Sequence, residues 1–429
     1  MGRHRLDYMM KRICSVDNLR LAADETKSVS CGADASAFYE YLNTNIILLQ
    51  RDLMTSRYHP NIYWSFDLHY PRKRKVYSME FSDKVVQSAI YRILKKEFQF
   101  SFYEHTYASL SNRGMNDLQS YIQTGIRECR KQYGTCIGLV CDIRHFHRNI
   151  DLGILKSRLR DYIKDLSVLQ LLDLFIDFHE GIDDKDPEYG LITGNKLNAF
   201  YTSIYMDPFD RYVKQDLRIK YYARYEDDMI FLLPDIDTAK EVYDKINSYL
   251  IGRLNLSLNQ KTTISSYQNG ISFCGNIFYQ DKIYMKKSSI QNAYRFIREY
   301  EDSKINFKEL TDKLISWTHH AEKYDDTENI IEKIWFKAYT AYTLKHRGMY
   351  RIDRRRIKPK CMRHIRYQHL SDTDLENCVK HTRYRMIQKG IIKDTVNFKG
   401  IDLRNYLNES STYDNRVYFD AVWNEFQNL

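Results

Sequence analysis

Residues 220–233 constrain the fold of this chain more than any other stretch of its sequence. They read KYYARYEDDMIFLL, so that Glu226, Asp227 and Asp228 lie between two runs rich in aromatic and β-branched residues. This pattern predicts a β-hairpin with the acids at its tip. Adjacent carboxylates at a tight turn repel each other unless a cation lies beside them, and Mg²⁺ prefers carboxylate and phosphate oxygens. The hairpin therefore predicts a divalent-cation site, provided that a further acid joins the pair.

Asp142 is the candidate for that further acid. It follows the apolar run at residues 135–141, which predicts a buried strand beside the hairpin. Asp142 is then expected to face Asp227 across one strand spacing of about 5 Å. Two such carboxylates can hold two divalent ions about 3.5–4 Å apart, as phosphoryl transfer requires. Taken alone, Asp142 could be a helix cap, and Asp227 with Asp228 an exposed turn.

The net charge of +10 is concentrated in one part of the chain. Residues 345–366 contain ten Lys or Arg residues and one acidic residue, so this tract alone carries a charge of +9. A local excess of positive charge favours contact with a polyanion such as nucleic acid over a general effect on solubility. A solvated helix face or a disordered tail is the alternative interpretation of the same tract.

Other features of the sequence exclude several classes of protein. No apolar run approaches 18 residues, so neither a membrane span nor a membrane partner is expected. The eight cysteines include no Cys-x-x-Cys pair, which argues against a disulfide framework or a zinc knuckle and favours a reduced, cytoplasmic setting. Glycine-rich phosphate loops of the Walker or Rossmann type are absent as well.

The order of predicted elements indicates an α+β fold. One helix is expected over residues 33–54, and another over residues 196–217 with a kink or restart at Pro208. A strand is expected at residues 254–258, and a hairpin that turns at residues 280–282 is expected over residues 270–285. The middle of the chain then runs strand–helix–helix–strand–strand–helix–strand, which is a split βαβ or ferredoxin-like order.

Several segments, in this order along the chain, resemble motifs of the prokaryotic reverse transcriptases. The most similar members are the diversity-generating-retroelement, retron and unknown-group (defence-associated) enzymes. Residues 142–151 match the first palm motif, and residues 190–195 match the Gly-Leu-Pro-x-Gly-Asn segment. Residues 225–228 match the Tyr-x-Asp-Asp box, residues 258–263 the next palm motif, and residues 270–275 the primer grip. The fingers pattern matches residues 71–74, 81–87 and 106–108, and the thumb matches residues 307–321.

The resemblance, which covers about residues 15–325, implies a right-hand polymerase. Its parts would be a ferredoxin-like palm, helical fingers and thumb, and a basic, mainly helical C-terminal extension. The implied domains are an N-terminal and fingers region at residues 1–134, a palm with part of the fingers at 135–287, a helical thumb at 288–345 and an RNA-binding extension at 346–429. The implied reaction is metal-dependent extension of a 3′-hydroxyl by deoxynucleotides on an RNA template.

The resemblance also implies a set of catalytic and metal-binding residues. Asp142 and Asp227 would bind two Mg²⁺ ions, with Mn²⁺ as an alternative, and the backbone carbonyl of Ile143 would help to hold one of them. Asp228 would support the second ion or the primer end. Lys261 is a candidate proton donor to the leaving pyrophosphate, and a plain solvated lysine is the alternative interpretation of it.

A second implied set would bind the incoming nucleotide. Lys73 and Arg74 would contact its triphosphate, since Arg suits bidentate contact with phosphate. Gly194 and Asn195 would lie against the nascent base pair. His147 stands where the family usually has Phe or Tyr, whose ring blocks the sugar 2′-hydroxyl. Imidazole is smaller and can hydrogen-bond a hydroxyl, which predicts weaker exclusion of ribonucleotides.

The implied partners are dNTPs, an RNA template, a structured non-coding RNA and the DNA product. An accessory protein or a homo-oligomer is left open. The residues expected to contact nucleic acid are Arg113, Gly114, Phe273, Gly275 and, in the basic tract, Arg351, Arg354, Arg355, Arg356, Lys358 and Lys360.

Departures from the family pattern bear on the function. Ile192 replaces a proline, residues 196–199 read KLNA where the family has Leu-Thr-Ser-Gln, and residues 81–84 read FSDK where it has Phe-Arg-Asp-Arg. The first two departures fall where the family contacts template and base pair, which favours a role with a dedicated non-coding RNA in antiphage defence. The alternatives are template-independent or low-complexity DNA synthesis at the same site, and a catalytically idle RNA-binding scaffold. The presence of both Asp142 and Asp227 weighs against the scaffold.

Overall fold

The computed structural model describes residues 8–30, 32–68, 74–107, 113–182, 186 and 188–345, with the backbone alone at residues 68, 74, 339, 340 and 343–345. The chain divides after Cys274 into two compact units. Each unit contains both helices and strands, so the fold is mixed α+β, as the sequence predicts.

The first unit carries most of the secondary structure. Its helices are α1 (Met9–Ile13), α2 (Val16–Lys27), α3 (Ala33–Glu40), α4 (Leu42–Met54), α5 (Phe81–Phe98), α6 (Met115–Tyr133), α7 (Phe146–Asn149), α8 (Leu152–Tyr162), α9 (Leu166–Asp177), α10 (Asn198–Arg211) and α11 (Ile236–Leu254). Its strands are β1 (Trp64–Leu68), β2 (Arg74–Ser78), β3 (Thr106–Tyr107), β4 (Ile137–Asp142), β5 (Tyr221–Tyr225), β6 (Asp228–Leu233), β7 (Thr263–Ser266) and β8 (Ile271–Phe273).

The second unit begins with a short hairpin and continues with helices. Its elements are β9 (Asn276–Phe278), β10 (Ile283–Met285), α12 (Lys287–Glu301), α13 (Phe307–Ala321) and α14 (Glu328–Lys345). In the part of the chain that the structure describes, no helix has the length and apolar character needed to cross a membrane.

A central sheet organises the first unit, and its strands follow the order β3–β5–β6–β4–β7. Strands β4 and β6 are antiparallel and pair from Ile137 opposite Leu233 to Asp142 opposite Asp228. Nearly all residues of both strands are buried, as expected for short apolar runs that are covered on both faces. The predicted strand before Asp142 and the predicted hairpin at residues 219–233 are therefore confirmed.

Helices α6, α10 and α11 hold this sheet in place. Helix α6 packs on β5 and β6, and Gly125 lies so near Leu232 that a Cβ atom would approach it within 2.6 Å. Helix α11 packs on β4 and β6 and is capped by Asp235. Helix α10 is joined to the end of α11 because the hydroxyl of Tyr205 donates to the carbonyl of Leu254 at 2.6 Å. The sheet thus has little freedom to shift beneath its acidic edge.

Two of the helix predictions are wrong in detail. Residues 33–54 form two helices rather than one, because the backbone leaves helical geometry at Tyr41, with φ −121° and ψ 39°. Helix α10 runs through Pro208 without a restart and widens only later, into a π-helical turn at Tyr212–Asp216. Burial of neighbouring side chains such as Phe209 outweighs the one backbone hydrogen bond that proline cannot make.

One of the strand predictions is wrong, and another lacks one strand. Residues 254–258, all of which the structure describes, form no strand: α11 ends there with Asn255 at φ +50°, and the strand β7 comes later in the chain. Leu258 makes only an isolated bridge with Ile143. Within residues 270–285, β9 pairs with β10 in an antiparallel hairpin whose turn includes residues 280–282, as the sequence predicts, and the additional strand β8 comes before it.

His105 lies at the β3 edge of the sheet among aromatic side chains. Its ring stacks on Tyr121 with centroids 3.6 Å apart, and its Nδ1 lies 3.1 Å from the hydroxyl of Tyr107. Burial lowers the pKa of His105 to about 4, nearby cations act in the same direction, and Glu104 opposes them. The imidazole is therefore neutral at pH 7.

This neutral histidine makes folding stability depend on pH. Between the ordinary pKa of 6.5 and the folded value of about 4, the unfolded chain binds a proton that the folded chain does not. Stability that is present above pH 6.5 is therefore lost as the pH falls towards 4. Between pH 7 and pH 4.5 we expect the free energy of unfolding of the wild type to fall by an amount on the order of 1–3 kcal/mol because of His105, and His105→Phe to lack this fall. Urea unfolding at the two pH values measures the difference, and His59→Phe, at an exposed position, is the control. A fall as large as that of the wild type in His105→Phe would contradict the prediction.

Candidate active site

The tip of the β5–β6 hairpin is a two-residue turn made by Glu226 and Asp227, and the strands pair directly on either side of it. Glu226 has φ +54°, a left-handed conformation that residues other than glycine rarely adopt. Burial raises the pKa of the Asp227 carboxyl, and the charges of Asp142 and Glu226 raise it as well. The backbone N–H of Asp227 itself and His147 lower it. The turn is thus a partly buried place with an excess of negative charge.

Asp142 closes the paired part of β4 and β6. The sequence predicts that Asp142 faces Asp227, but its partner in register is Asp228. The tight turn puts Asp227 beyond the last paired residue. The charge of Asp142 nevertheless raises the pKa of the Asp227 carboxyl, which requires the two groups to be near each other. The two acids expected to bind metal therefore share one end of two adjoining strands.

Asn259 binds Asp142 from the side opposite β6. Its backbone N–H donates to the Asp142 carbonyl at 2.7 Å, and its Nδ2 donates to Oδ2 at 3.2 Å. The motif at residues 258–263 is visible in the sequence, but this contact joins residues 117 positions apart and needs the folded chain to be seen. Since successive carbonyls of an extended chain alternate in direction, the Ile143 carbonyl is directed to the opposite side of the chain from the Asp142 carbonyl that Asn259 binds.

The donor set at the hairpin tip is small. Asp228 accepts a hydrogen bond from Sγ of Cys274 at 3.8 Å, and burial together with Asp228 raises the pKa of that thiol. No group of three or more His, Cys, Asp or Glu side chains among the described residues is arranged to hold a metal ion. The tip therefore offers the carboxylates of Asp142 and Asp227, and the Ile143 carbonyl stays a predicted ligand. This set fits Mg²⁺, which keeps several waters and usually takes one or two carboxylates together with substrate phosphates.

Residues 190–195 connect His147 with the β1–β2 hairpin. A backbone N–H of this segment donates to the His147 carbonyl at 2.7 Å, and the Tyr77 N–H donates to the segment at 3.2 Å. Gly194 has φ +110°, and a Cβ atom there would lie 2.1 Å from the Tyr77 carbonyl oxygen. Gly194 and Asn195, which are both expected to bind the nucleotide, thus lie in a segment whose backbone is hydrogen-bonded to His147 and to β2.

The start of α10 is bound to helix α5. Asn195 is buried, and its Oδ1 accepts a hydrogen bond from the N–H of Leu197 at 2.9 Å. Lys196 donates its N–H to Oε1 of Gln87 at 3.1 Å and its Nζ to the hydroxyl of Ser88 at 2.7 Å. The sequence shows the departure at Lys196, but these two contacts join residues more than 100 positions apart and are visible only in the folded chain.

Other expected site residues have structural contacts of their own. Arg113 donates from Nη1 to the carbonyl of Tyr103 at 2.8 Å, and the Gly114 N–H donates to Asp117 at the start of α6 at 2.9 Å. Lys261 is exposed in the turn before β7. These contacts hold the ends of helices and turns.

Phe273, which the sequence predicts to contact nucleic acid, is only 2% exposed. Gly275 opens the second unit with φ +79°. Arg74 begins β2 opposite Leu68, and only its backbone is described. The expected contacts outside the described residues are Lys73, Arg351, Arg354, Arg355, Arg356, Lys358 and Lys360.

Comparison with known proteins adds little to this geometry. No protein-family model and no curated protein sequence matches the chain. Among solved structures, it is similar to apo telomerase from Candida Tropicalis truncated from its C-terminal domain, with a TM-score of 0.41 and 12% sequence identity. The match covers 52% of this chain and 54% of that one, about half of each. A similarity of this size carries no argument, so the family assignment stays a prediction from the motifs.

Gly194 provides a stability test of the path between His147 and β2. Gly194→Ala adds a Cβ atom against a backbone oxygen, whereas at Gly134, which also has a positive φ, nothing lies within 4 Å. We expect Gly134→Ala to cost about 1 kcal/mol or less, from backbone strain alone, and Gly194→Ala on the order of 2–3 kcal/mol. The free energy of unfolding in urea measures both variants. Equal losses would show that the close approach at Gly194 is not present.

Proposed function

We propose that this chain is an RNA-directed DNA polymerase that extends a 3′-hydroxyl with deoxynucleotides. The observation that carries the proposal is the convergence of Asp142 and Asp227 at one end of two adjoining strands, where the charge of one raises the pKa of the other. Such a pair attracts divalent cations, and nucleotidyl transfer needs them beside the reacting phosphate. The order of motifs along the chain supports the same reaction.

The proposed cofactor is a pair of Mg²⁺ ions, for which Mn²⁺ can substitute. When bound, the ions would lower the pKa of the 3′-hydroxyl and neutralise charge on the triphosphate. Asp142 and Asp227 would hold them together with the Ile143 carbonyl. Asn259 keeps one oxygen of Asp142 oriented through its Nδ2 bond. Lys261, exposed to solvent, is the proposed proton donor to the leaving pyrophosphate.

The incoming nucleotide would lie beside the same acids. His147 is near enough to lower the pKa of Asp227, which supports a position for its imidazole next to the nucleotide sugar. The backbone path from His147 to Gly194 and β2 would form a wall of this pocket. Gly194 and Asn195 would contact the nascent base pair, and Asp228 would lie towards the primer end.

The larger elements would take the parts of a right hand. The central sheet would be the palm, helices α1–α5 with β1 and β2 the fingers, and helices α12–α14 the thumb. Arg74, which begins β2, and Lys73, which precedes it in the sequence, would contact the triphosphate. The basic tract at residues 345–366 would bind the backbone of a structured non-coding RNA, with affinity that falls steeply as salt is added.

The contacts of Lys196 favour a dedicated RNA over a general template. We propose, from the motif departures, that the chain acts in a cytoplasmic antiphage system. In the family pattern this position lies near template and base pair, whereas here Gln87 and Ser88 bind the lysine. A side chain engaged in this way is less available to grip an arbitrary template. The same observation favours, as a second candidate, DNA synthesis of low complexity with little or no external template.

Replacing either metal ligand is expected to abolish DNA synthesis. Asp142→Asn and Asp227→Asn remove one negative charge with little change of shape, so Mg²⁺-dependent incorporation of dNTPs should fall at least about 10²-fold. The matched control is Asp237→Asn, because Asp237 is an exposed acid in the first turn of α11 and should leave the rate unchanged. Incorporation is measured with labelled dNTPs on the RNA that co-purifies. Wild-type synthesis by Asp227→Asn would refute the metal assignment.

Sequencing the product and the co-purified RNA separates the alternatives. DNA complementary to that RNA supports RNA-directed synthesis. Low-complexity DNA with no complement supports template-independent synthesis by the same site. Bound RNA with an inert wild-type protein supports the scaffold and removes the polymerase proposal.

His147 is expected to set the choice of sugar. The phenyl ring of His147→Phe is larger than imidazole and cannot hydrogen-bond a 2′-hydroxyl, so the ratio of ribonucleotide to deoxyribonucleotide incorporation should fall by about tenfold or more. His179→Phe, at an exposed position, is the control. The two incorporation rates are measured in competition on one template. An unchanged ratio in His147→Phe would remove His147 from the sugar position.

A further inference from the structure

Arg224 on β5 carries a buried charge just before the hairpin turn. It is 1% exposed, and the carboxylate that neutralises it, Asp210 of α10, is fully buried. Arg224 donates from Nε to Oδ1 at 2.9 Å and from Nη2 to Oδ2 at 2.5 Å. The hydroxyls of Tyr222 and Thr106 donate to the same two oxygens at 2.7 and 3.2 Å. The carboxylate is therefore bound on both oxygens and matches the fork of the guanidinium.

The remaining terminal nitrogen of Arg224 points elsewhere. Its Nη1 donates to the carbonyl oxygen of Glu226 at 3.0 Å. This bond is not needed to balance the charge of Asp210, and it reaches the turn that carries Asp227. A planar guanidinium fixes the directions of its N–H groups, so binding Asp210 with two of them also fixes the direction of the third.

One peptide plane connects this contact with the candidate metal ligand. The Glu226 carbonyl and the Asp227 N–H belong to the same rigid peptide unit. Arg224 holds the carbonyl at one end of this unit, and the N–H at the other end is that of Asp227, so fixing the plane also fixes the backbone from which the Asp227 side chain extends. Glu226 is at φ +54°, so the turn is a strained conformation that an outside contact must help to keep.

We propose that Arg224 is a positioning residue: by holding the Glu226 carbonyl it sets the peptide plane of the turn and so aims the Asp227 carboxylate at the metal. The inference rests on the proposed function, because it assumes that Asp227 binds a divalent cation. Asp210 is the anchor that orients the guanidinium. An ion pair kept for folding alone would need no donor directed at the turn.

The test is the binding of Mn²⁺, measured by electron paramagnetic resonance on the full chain. Arg224→Lys keeps a positive charge opposite Asp210 but has no fixed fork with which to reach Glu226. We expect Mn²⁺ binding to weaken about 10- to 100-fold, and the Mg²⁺ concentration for half-maximal synthesis to rise by the same factor. The matched control is Arg211→Lys, because Arg211 pairs with Asp207 on the same helix and should leave Mn²⁺ binding unchanged.

A second variant covers the case in which lysine is not tolerated in the interior. Arg224→Met combined with Asp210→Asn removes both charges together, so that neither is left buried without its partner. Thermal unfolding verifies that this variant folds. It should also bind Mn²⁺ about 10- to 100-fold more weakly than the wild type.

The outcomes separate this inference from the proposed function. Wild-type Mn²⁺ affinity in a folded Arg224 variant would overturn the inference and leave the polymerase proposal intact. Mn²⁺ binding by a wild-type protein that makes no DNA, weakened in the Arg224 variants, would support the inference and overturn the polymerase proposal. A wild-type protein that neither binds Mn²⁺ nor makes DNA would overturn both.

Discussion

The antiparallel pairing of β4 with β6 is the interaction on which the candidate site depends. Its register is fixed residue by residue, from Ile137 opposite Leu233 to Asp142 opposite Asp228. Because both strands are buried on both faces, a slip of one residue would exchange the neighbours that every side chain packs against, so the register is strongly specified. The ladder ends at the acids Asp142 and Asp228, and Asp227 lies just beyond it. The acids are thereby anchored to the end of a buried pair of strands.

Gathering these acids opposes folding, and the surrounding groups reduce that opposition without cancelling it. Burial raises the pKa of Asp227 and Asp142 adds to the effect, which means that the ionised carboxyl is held at a cost in free energy. The backbone N–H of Asp227 and His147 lower the pKa of the Asp227 carboxyl, whereas burial, Asp142 and Glu226 raise it, and the net direction is upward. The repulsion between the acids is therefore only partly offset by the protein itself.

The parts of this arrangement that depend on neighbours in sequence could be predicted, and those that depend on distant contacts could not. The hairpin and the strand before Asp142 follow from local alternation and apolar runs. The register of Asp142 with Asp228 depends on the length of the turn, which the sequence pattern leaves open by one residue. The bond from Asn259 to Asp142 spans 117 positions, and no periodicity in the sequence encodes it. Helix α10 continues through Pro208 because burial of the neighbouring side chains, a tertiary effect, outweighs the local tendency of proline to interrupt a helix.

Two aspartates of α10 pair with arginines, and only one of the two pairs is wholly buried. Asp207 pairs with Arg211 of the same helix, whose side chain is 49% exposed, and it also accepts a hydrogen bond from Tyr162, which ties α10 to α8. The pair of Asp210 with Arg224 lies in the interior, where apolar side chains of similar volume could serve stability as well or better. What apolar side chains cannot supply is a donor directed at the carbonyl of the hairpin turn. The interior pair is therefore better explained by the geometry of the acids than by the stability of the fold.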